Sequence, residues 1–151
     1  MDNENSRAIS FDFHDTVLVL NVGGELKNIK LFRAILYFLS NFRLFIFVYT
    51  FFCRRNELII ELMRKLKADG NRVIILTSTY KKSAKIIHYF LRKNKITNYD
   101  EVIFRQSLWQ KESDYKIEEI MKNNISLHYD DGKIVCSEIN AKAKGCVAVT
   151  V

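Results

Sequence analysis

The side chains of this chain best suited to chemistry follow short apolar runs. The first case lies near the start, where Ile9 to Phe11 is followed by Asp12, a polar turn and Thr16. A buried parallel strand reads as a continuous apolar run, and open α/β sheets bind ligands just beyond the carboxyl ends of their strands. The pattern therefore predicts that Asp12 points into an active-site crevice, where a carboxylate can act as a nucleophile or bind a cation.

Three later places in the chain present reactive side chains in the same way. Thr77 and Ser78 end one predicted strand, Asp130 and Asp131 end another, and Lys116 lies in the first turn of a predicted helix. Phosphoryl transfer through an aspartyl-enzyme needs a carboxylate nucleophile, a divalent cation, donors for the phosphate oxygens and a positive charge. Together with the first carboxylate these side chains offer all four, since paired carboxylates suit Mg²⁺.

The elements that must position these residues alternate between strand and helix. Such repeated units predict a parallel sheet with helices on both faces, a three-layer α/β/α Rossmann-like fold in a single domain covering residues 1–151. The predicted strands cover 9–11, 73–76, 101–104, 125–129 and 146–151, and the predicted helices about 56–69, 80–94, 113–122 and 133–143. We expect Ser113 to cap the third helix. The run 17–20 fits a short strand or one helical turn.

Taken together, these stretches resemble the four motifs of the haloacid dehalogenase-like (HAD) superfamily of hydrolases. Residues 9–17 are similar to motif I, an apolar strand followed by Asp-x-Asp-x-Thr. Thr77 matches the Ser/Thr of motif II, Lys116 the lysine of motif III, and Asp130 with Asp131 the acidic motif IV. The resemblance implies a HAD-like parallel sheet with a small helical insert after motif I, and a Mg²⁺-dependent phosphatase activity through an aspartyl-phosphate.

The resemblance also implies a role for each matching position. Asp12 would be the nucleophile, Thr77 and Lys116 would hold the phosphoryl oxygens, and His14 would handle the proton. The implied metal ligands are Asp12, the backbone carbonyl of His14, Asp130 and Asp131, and the expected substrate contacts are Thr16, Ser78 and Arg105.

Two positions of motif I depart from the family pattern. His14 stands where most phosphatases of the family carry a second aspartate, and Asp15 replaces the usual glycine. Imidazole titrates near pH ~6.5 and can serve as an acid or a base. His14 is therefore open to two interpretations, an acid/base role or a structural role with altered chemistry. His88 and His128 show no partner pattern and are predicted to be core or surface residues.

The other matches have plain structural alternatives. Thr77 could cap the following helix, Lys116 could be a solvated lysine with Lys111 competing for its role, and Asp130 with Asp131 could form a turn. The order of the four matches, each at a strand end or helix start, favours the functional interpretation.

The C-terminal third resembles the phosphatase domain of polynucleotide kinase 3′-phosphatases. The resemblance rests on Phe104-Arg105-Gln106, Asp114-Tyr115-Lys116, Asp130-Asp131 and Gly145-Cys146. Gly132 replaces an arginine expected after the two aspartates, and no kinase phosphate loop is present. A nucleic-acid 3′-phosphate is therefore one interpretation of the substrate, beside a phosphorylated small molecule or nucleotide.

Residues 25–53 form an aromatic-rich insert between the first two motifs. The run 34–53 is long enough to cross a bilayer, but the motifs on either side must meet in one sheet. Arg43 would also cost about 2.5 kcal/mol at a bilayer centre. We expect a helical cap or buried hairpin turning near Ser40 and Asn41, with a membrane-surface or partner-binding element as the alternative.

Composition sets the remaining expectations. The chain carries a net charge of +7, which favours anionic partners such as phosphorylated metabolites, nucleic acid or acidic membrane surfaces. The start of the chain shows no secretory signal, and three scattered cysteines fit a reducing compartment, so we predict a cytoplasmic protein. Cys53, Cys136 and Cys146 are interpreted as small buried side chains.

Three functional hypotheses follow from the sequence. The first is a Mg²⁺-dependent phosphomonoesterase acting on a phosphorylated small molecule or nucleotide. The second is a catalytically altered HAD-like module whose insert binds a membrane surface or a protein partner. The third is a nucleic-acid-binding protein that uses the basic segment 81–95, with or without phosphatase activity. The sequence does not determine the oligomeric state.

Overall fold

The computed structural model describes residues 7–20, 43–107 and 109–151. Within these residues, five parallel strands form the main sheet, and two short antiparallel strands pair beside it. The main strands are β1 (Ala8–Phe11), β4 (Arg72–Tyr80), β5 (Glu101–Arg105), β6 (Ile125–Asp130) and β7 (Val147–Thr150), in the spatial order β5-β4-β1-β6-β7. The short pair is β2 (Leu18–Leu20) and β3 (Cys53–Arg55).

Helices cover both faces of the main sheet. They are α1 (Arg43–Phe52), α2 (Glu57–Ala68), α3 (Ala84–Lys93), α4 (Glu112–Lys122) and α5 (Lys133–Lys142). Alternate residues of β4 pack into the two hydrophobic cores on opposite faces of the sheet. Val73 and Ile75 pack into the core that contains Met63 and Phe90. Ile74 and Leu76 pack into the second core. Burial on both faces explains the continuous apolar run, and the three-layer α/β/α prediction is confirmed.

The observed boundaries resolve one open alternative of the sequence-based assignment and correct two of its details. The run 17–20 contributes a strand, because Leu18–Leu20 pairs with Cys53–Arg55. Strand β4 continues to Tyr80, so the helix expected from Tyr80 begins at Ala84 after one 3₁₀ turn. The prediction of Ser113 as a cap was wrong, because α4 already begins at Glu112 and Lys111 occupies the capping position.

Only part of the aromatic insert falls within the described residues. The segment 43–53 forms α1 and the first residue of β3, while the expected turn at Ser40 and Asn41 lies outside the described residues. In the part of the chain that the structure describes, no helix is both long enough and apolar enough to span a bilayer. The three cysteines are buried, as predicted.

The sheet order brings the motifs to one edge. Strand β1 lies between β4 and β6, with Phe11 in register with Ile75 on one side and Tyr129 on the other. The backbone N–H of Asp12 donates to the carbonyl of Tyr129 at 2.8 Å, which ties the end of β1 to the end of β6. From β1 the chain builds β4 and β5 on one side and then crosses to build β6 and β7 on the other. Such a switch point is where open α/β sheets bind ligands.

Candidate active site

A buried ammonium group forms the centre of the candidate site. Lys116 Nζ lies 2.8 Å from Asp12 Oδ1, 2.6 Å from Asp130 Oδ2 and 3.0 Å from Glu112 Oε1, with none of its side chain exposed. A buried charge is tolerated only when it is paired, and three carboxylates pair this one. Burial opposes the charged form, but the carboxylates outweigh it and raise the pKa of Lys116 well above its usual value.

The competing lysine of the sequence analysis lies elsewhere. Lys111 Nζ is bound to the Glu138 carboxylate at 2.6 Å, and its side chain is 58% exposed. The exposed pair Lys111–Glu138 links the start of α4 to α5. The structure therefore places Lys116, and not Lys111, among the motif carboxylates.

Three carboxylates offer a site for a divalent cation. One oxygen from each of Asp12, Asp130 and Asp131 lies within 4.8 Å of the others. Opposite oxygens around an octahedral Mg²⁺ lie about 4.2 Å apart, so small adjustments would let one ion bind all three. The donor set fits a hard cation, and the exposed Asp131 leaves it open to solvent.

The two buried aspartates have opposite electrostatic environments. Burial raises the pKa of Asp12 well above its usual value, against the opposing charge of Lys116 and with a contribution from Asp130. Burial also acts to raise the pKa of Asp130, but the His128 hydrogen bond and the Lys116 charge lower it well below its usual value. Asp130 is thus held as a carboxylate, while the charge on Asp12 depends on its positive neighbours.

His128 is a supporting residue that the sequence analysis did not identify. Its Nε2 lies 3.1 Å from Asp130 Oδ2, and its Nδ1 lies 2.8 Å from Ser10 Oγ, with all three side chains buried. The carboxylate only accepts, so Nε2 carries the ring proton and Ser10 donates to Nδ1. The sequence did contain a signal for the contact between His128 and Asp130, because residues 128 and 130 of one strand share a face. In the sheet, Ser10 lies opposite His128.

The two unusual positions of motif I are both engaged by helix α1. His14 Nε2 lies 3.2 Å from Thr50 Oγ1, and Tyr49 Oη donates to Asp15 Oδ2 at 2.8 Å. Burial lowers the pKa of His14 to about 4, so the ring is neutral near pH ~7. Asp15 has φ 59°, a left-handed conformation that favours glycine and that aspartate tolerates better than most residues.

Thr77 and Ser78 lie at the end of β4 but have different partners. Thr77 is buried, and its hydroxyl accepts from the N–H of Thr79 at 3.2 Å, which leaves the hydroxyl proton for donation. Ser78 Oγ donates to Glu112 Oε1 at 2.6 Å. Burial acts to raise the pKa of Glu112, but Lys116 and Ser78 outweigh it and lower the pKa. Glu112, which the sequence analysis overlooked, therefore links Ser78 to Lys116.

The two remaining expected substrate contacts are buried with unused polar atoms. Within the described residues, Thr16 Oγ1 and Arg105 Nε make no hydrogen bond. Arg105 is 6% exposed, and its Nη1 donates to the carbonyl of Gln110 at 3.4 Å. The described hydrogen bonds do not join either residue to the Lys116 cluster. Both keep donors that an anionic ligand could use.

Gly132 follows the paired aspartates where an arginine was expected. Its N–H donates to Asp130 Oδ1 at 2.8 Å, and a Cβ built here would lie 3.0 Å from that oxygen. Any larger residue would therefore press on Asp130 unless the turn moved. This close approach explains why glycine, and not arginine, fits at position 132.

Several solved structures share this architecture. One is the structure of a Pnkp1/Rnl/Hen1 complex, with 18% identity, a TM-score of 0.69 and a match covering 99% of this chain and 47% of that chain. Another is a HAD-superfamily hydrolase from Ehrlichia chaffeensis, with 13% identity, a TM-score of 0.58 and coverage of 95% and 86%. A third, a phospho-aspartyl intermediate analogue of phosphoserine phosphatase, has 16% identity, a TM-score of 0.54 and coverage of 96% and 86%.

These likenesses establish the fold. The chain has the HAD-like fold, as its motifs implied, and it spans about half the length of the chain it matches in the Pnkp1/Rnl/Hen1 complex. No family model matches the sequence, and no curated protein matches it.

Proposed function

We propose that this protein is a Mg²⁺-dependent phosphomonoesterase that works through an aspartyl phosphate, the acyl phosphate of Asp12. The observation that supports this most is the Lys116 ammonium, which lies within 3.0 Å of Asp12, Asp130 and Glu112 in the buried interior. A nucleophilic carboxylate, a fixed positive charge and oxygen ligands for a cation are the parts that the chemistry requires.

In the proposed reaction, a carboxylate oxygen of Asp12 attacks phosphorus and the bond from phosphorus to the ester oxygen breaks. The released oxygen leaves as an alkoxide or phenolate and takes a proton from solvent. Water then attacks the phosphorus of the aspartyl phosphate, which releases phosphate and restores the Asp12 carboxylate. Lys116 and the hydroxyl of Thr77 would stabilise the charge on the phosphoryl oxygens in both steps.

The cation would be held by Asp12, Asp130, Asp131 and the backbone carbonyl of His14. When bound, Mg²⁺ supplies positive charge that neutralises the phosphoryl oxygens. The residues around it then have separate tasks, since His128 and Gly132 orient Asp130 through hydrogen bonds of 3.1 Å and 2.8 Å.

The substrate we propose is a phosphorylated small molecule or nucleotide. The net charge of +7 and the unused donors of the buried Arg105 favour an anion. A nucleic-acid end is the second candidate, because one of the similar structures belongs to an RNA repair complex and the segment 81–95, which includes α3, is basic. Binding of oligonucleotides with a steep dependence on salt concentration would favour it.

A phosphatase assay with an aryl phosphate tests the proposal. We expect turnover with Mg²⁺ and a loss of more than about 100-fold in EDTA, because the cation adds positive charge at the phosphoryl oxygens beyond that of Lys116. Readdition of Mg²⁺ should restore the rate. Equal turnover in EDTA, or none under either condition, would contradict the proposal.

Glu112 should act on turnover through its neighbours. Glu112→Gln removes one of the charges that orient Lys116 and keeps the shape of the side chain, so we expect kcat to fall by about 10- to 100-fold, as for other residues that orient a reacting group. Glu118→Gln, on the exposed side of the same helix, is the matched control and should leave kcat unchanged. An equal effect of both substitutions would argue against a role in the site.

A further inference from the structure

Helix α1 exposes a continuous apolar stripe to solvent. Its exposed large side chains recur at the spacing i, i+3, i+4, i+7 and i+8, which places them on one face of the helix. They are between 41% and 75% exposed, whereas Ile46 and Thr50 on the opposite face are buried. Single exposed hydrophobic residues are normal, but a contiguous set indicates a binding surface. The members of the stripe are Leu44, Phe47, Val48, Phe51 and Phe52.

Helix α3 lies beside this stripe and contacts it. The rings of Phe47 and Tyr89 are stacked with their centroids 6.4 Å apart. Lys93 Nζ lies 4.4 Å from the ring centroid of Phe51, which is a cation–π contact. The two helices therefore present one surface, which we call the α1–α3 face. It consists of the five residues of the stripe together with the exposed Lys85, Tyr89, Arg92 and Lys93 of α3.

The segments that form this face carry charge of one sign. Residues 44–55 and 80–99 hold eight of the 24 Lys and Arg of the chain and none of its 17 Asp and Glu, so the remainder of the chain is nearly neutral. Within the described residues, Lys85, Arg92 and Lys93 form no ion pair. Positive charge beside exposed hydrocarbon is complementary to a layer that presents negative charge above an apolar interior.

The ring contacts favour such a layer over single-stranded nucleic acid. Bases bind by stacking on open faces of aromatic rings. The ring of Phe51 is already stacked with Phe47 and lies under the ammonium of Lys93. The aliphatic Leu44 and Val48 offer no ring for a base, but they partition readily into acyl chains.

We propose that the α1–α3 face docks on anionic lipid membranes, with α1 in the plane of the interface and its stripe among the acyl chains. The basic residues of α3 then lie at the level of the lipid phosphates. The buried side of α1 contacts His14 and Asp15, so docking would hold motif I about one helix diameter, ~10 Å, from the membrane. This inference does not depend on the proposed phosphatase activity.

Flotation with lipid vesicles tests the proposal. The whole chain should float with phosphatidylcholine vesicles that contain about 30% phosphatidylserine and should stay unbound with phosphatidylcholine alone, because its basic residues need anionic lipid. Leu44→Ser combined with Phe52→Ser should weaken partitioning at least about tenfold, since the stripe loses its two most exposed side chains. Ile134→Ser combined with Met121→Ser, similarly exposed but on α5 and α4 across the sheet, should bind as wild type.

The electrostatic part has its own variant, which leaves the apolar stripe intact. Each basic residue near an anionic surface changes partitioning by about fivefold, so Lys85→Gln combined with Arg92→Gln should weaken binding about 20-fold. Lys122→Gln combined with Lys142→Gln removes the same charge from exposed positions on α4 and α5 and should weaken it less than about threefold. Equal losses in the two variants would mean that net charge alone drives binding, which would overturn the proposal.

A tryptophan at position 52 reports whether the stripe enters the membrane. Trp109 is the one tryptophan of the sequence, so Phe52→Trp in a Trp109→Phe background gives a single fluorophore. Its emission should move to shorter wavelength with the phosphatidylserine vesicles and should be quenched by brominated acyl chains. Emission that keeps its aqueous wavelength in floated protein would overturn the docking orientation.

Three other results would assign the face to a different occupant and reject the lipid. Binding of an oligonucleotide of about 20 uridines, lost in the Lys85 and Arg92 variant and without flotation of wild type, would identify nucleic acid. A dimer in sedimentation equilibrium that the Leu44 and Phe52 variant dissociates would identify a second copy of the chain. A lower urea midpoint of that variant than of its control, without flotation of wild type, would mean that the chain covers the stripe itself.

Discussion

Asp12→Asn is expected to lower kcat for an aryl phosphate by ~10⁴-fold or more, because an amide oxygen cannot form the acyl phosphate on which the reaction depends. The Asp12 carboxylate lies 2.8 Å from Lys116, and an asparagine can accept the same hydrogen bond. The expected loss is therefore one of nucleophilicity and not of geometry.

The same substitution should not destabilise the protein. Burial raises the pKa of Asp12 well above its usual value, so its charged form costs folding free energy, and the neutral amide removes that cost. We expect a midpoint of urea unfolding at or above that of wild type. Asp69→Asn, at the exposed end of α2, is the control and should leave both kcat and the midpoint unchanged. Retention of more than a tenth of the activity in Asp12→Asn would exclude Asp12 as the nucleophile.

The sequence was sufficient to predict the residues that the sheet positions. Asp12, Thr77 and Asp130 each follow or end an apolar strand, and a parallel sheet buried on both faces brings such strand ends to one edge. The structure finds these strands adjacent, with Lys116 placed over them by α4. Their convergence is thus a consequence of topology, which continuous apolar runs reveal.

Residues that act through side-chain hydrogen bonds across the chain were harder to predict. Glu112 lies one helical turn before Lys116, and that spacing of four is a detectable signal. Thr50 offers no such signal, because it lies in an apolar aromatic helix and its partner is 36 residues away. No periodicity links them, so only coordinates could reveal the pair.

The structure also explains the two departures from the family pattern as a coupled change. At position 15 the backbone adopts φ 59°, which accounts for the glycine usual there, and Asp15 recovers part of the cost through the Tyr49 hydroxyl at 2.8 Å. At position 14 the imidazole is longer than a carboxylate and extends to Thr50. Both substitutions therefore depend on α1, which belongs to the insert that separates motif I from motif II.

Lys116→Met should have the largest effect on stability. The substitution leaves Asp12, Asp130 and Glu112 close together without their shared cation, and breaking a buried ion pair in this way costs about 3–5 kcal/mol. The free energy of unfolding, measured in urea, checks this. Turnover should also fall by about 10²- to 10³-fold, because the ammonium no longer stabilises the phosphoryl oxygens.

The conditions under which the Lys116→Met variant regains stability identify the cause of its instability. Carboxylates left close together can share a proton, so their pKa values rise in the folded state and the loss of stability should shrink from about pH 8 to about pH 5. Mg²⁺ should stabilise the variant more than it stabilises wild type, because the ion supplies the missing positive charge to Asp12 and Asp130. Lys111→Met is the control, because it removes an exposed ion pair just before the helix that carries Lys116. It should lower the free energy of unfolding by less than about 1 kcal/mol, and its stability should respond to pH and Mg²⁺ as that of wild type does. If the two variants unfold at the same urea concentration, Lys116 does not hold the carboxylate cluster together.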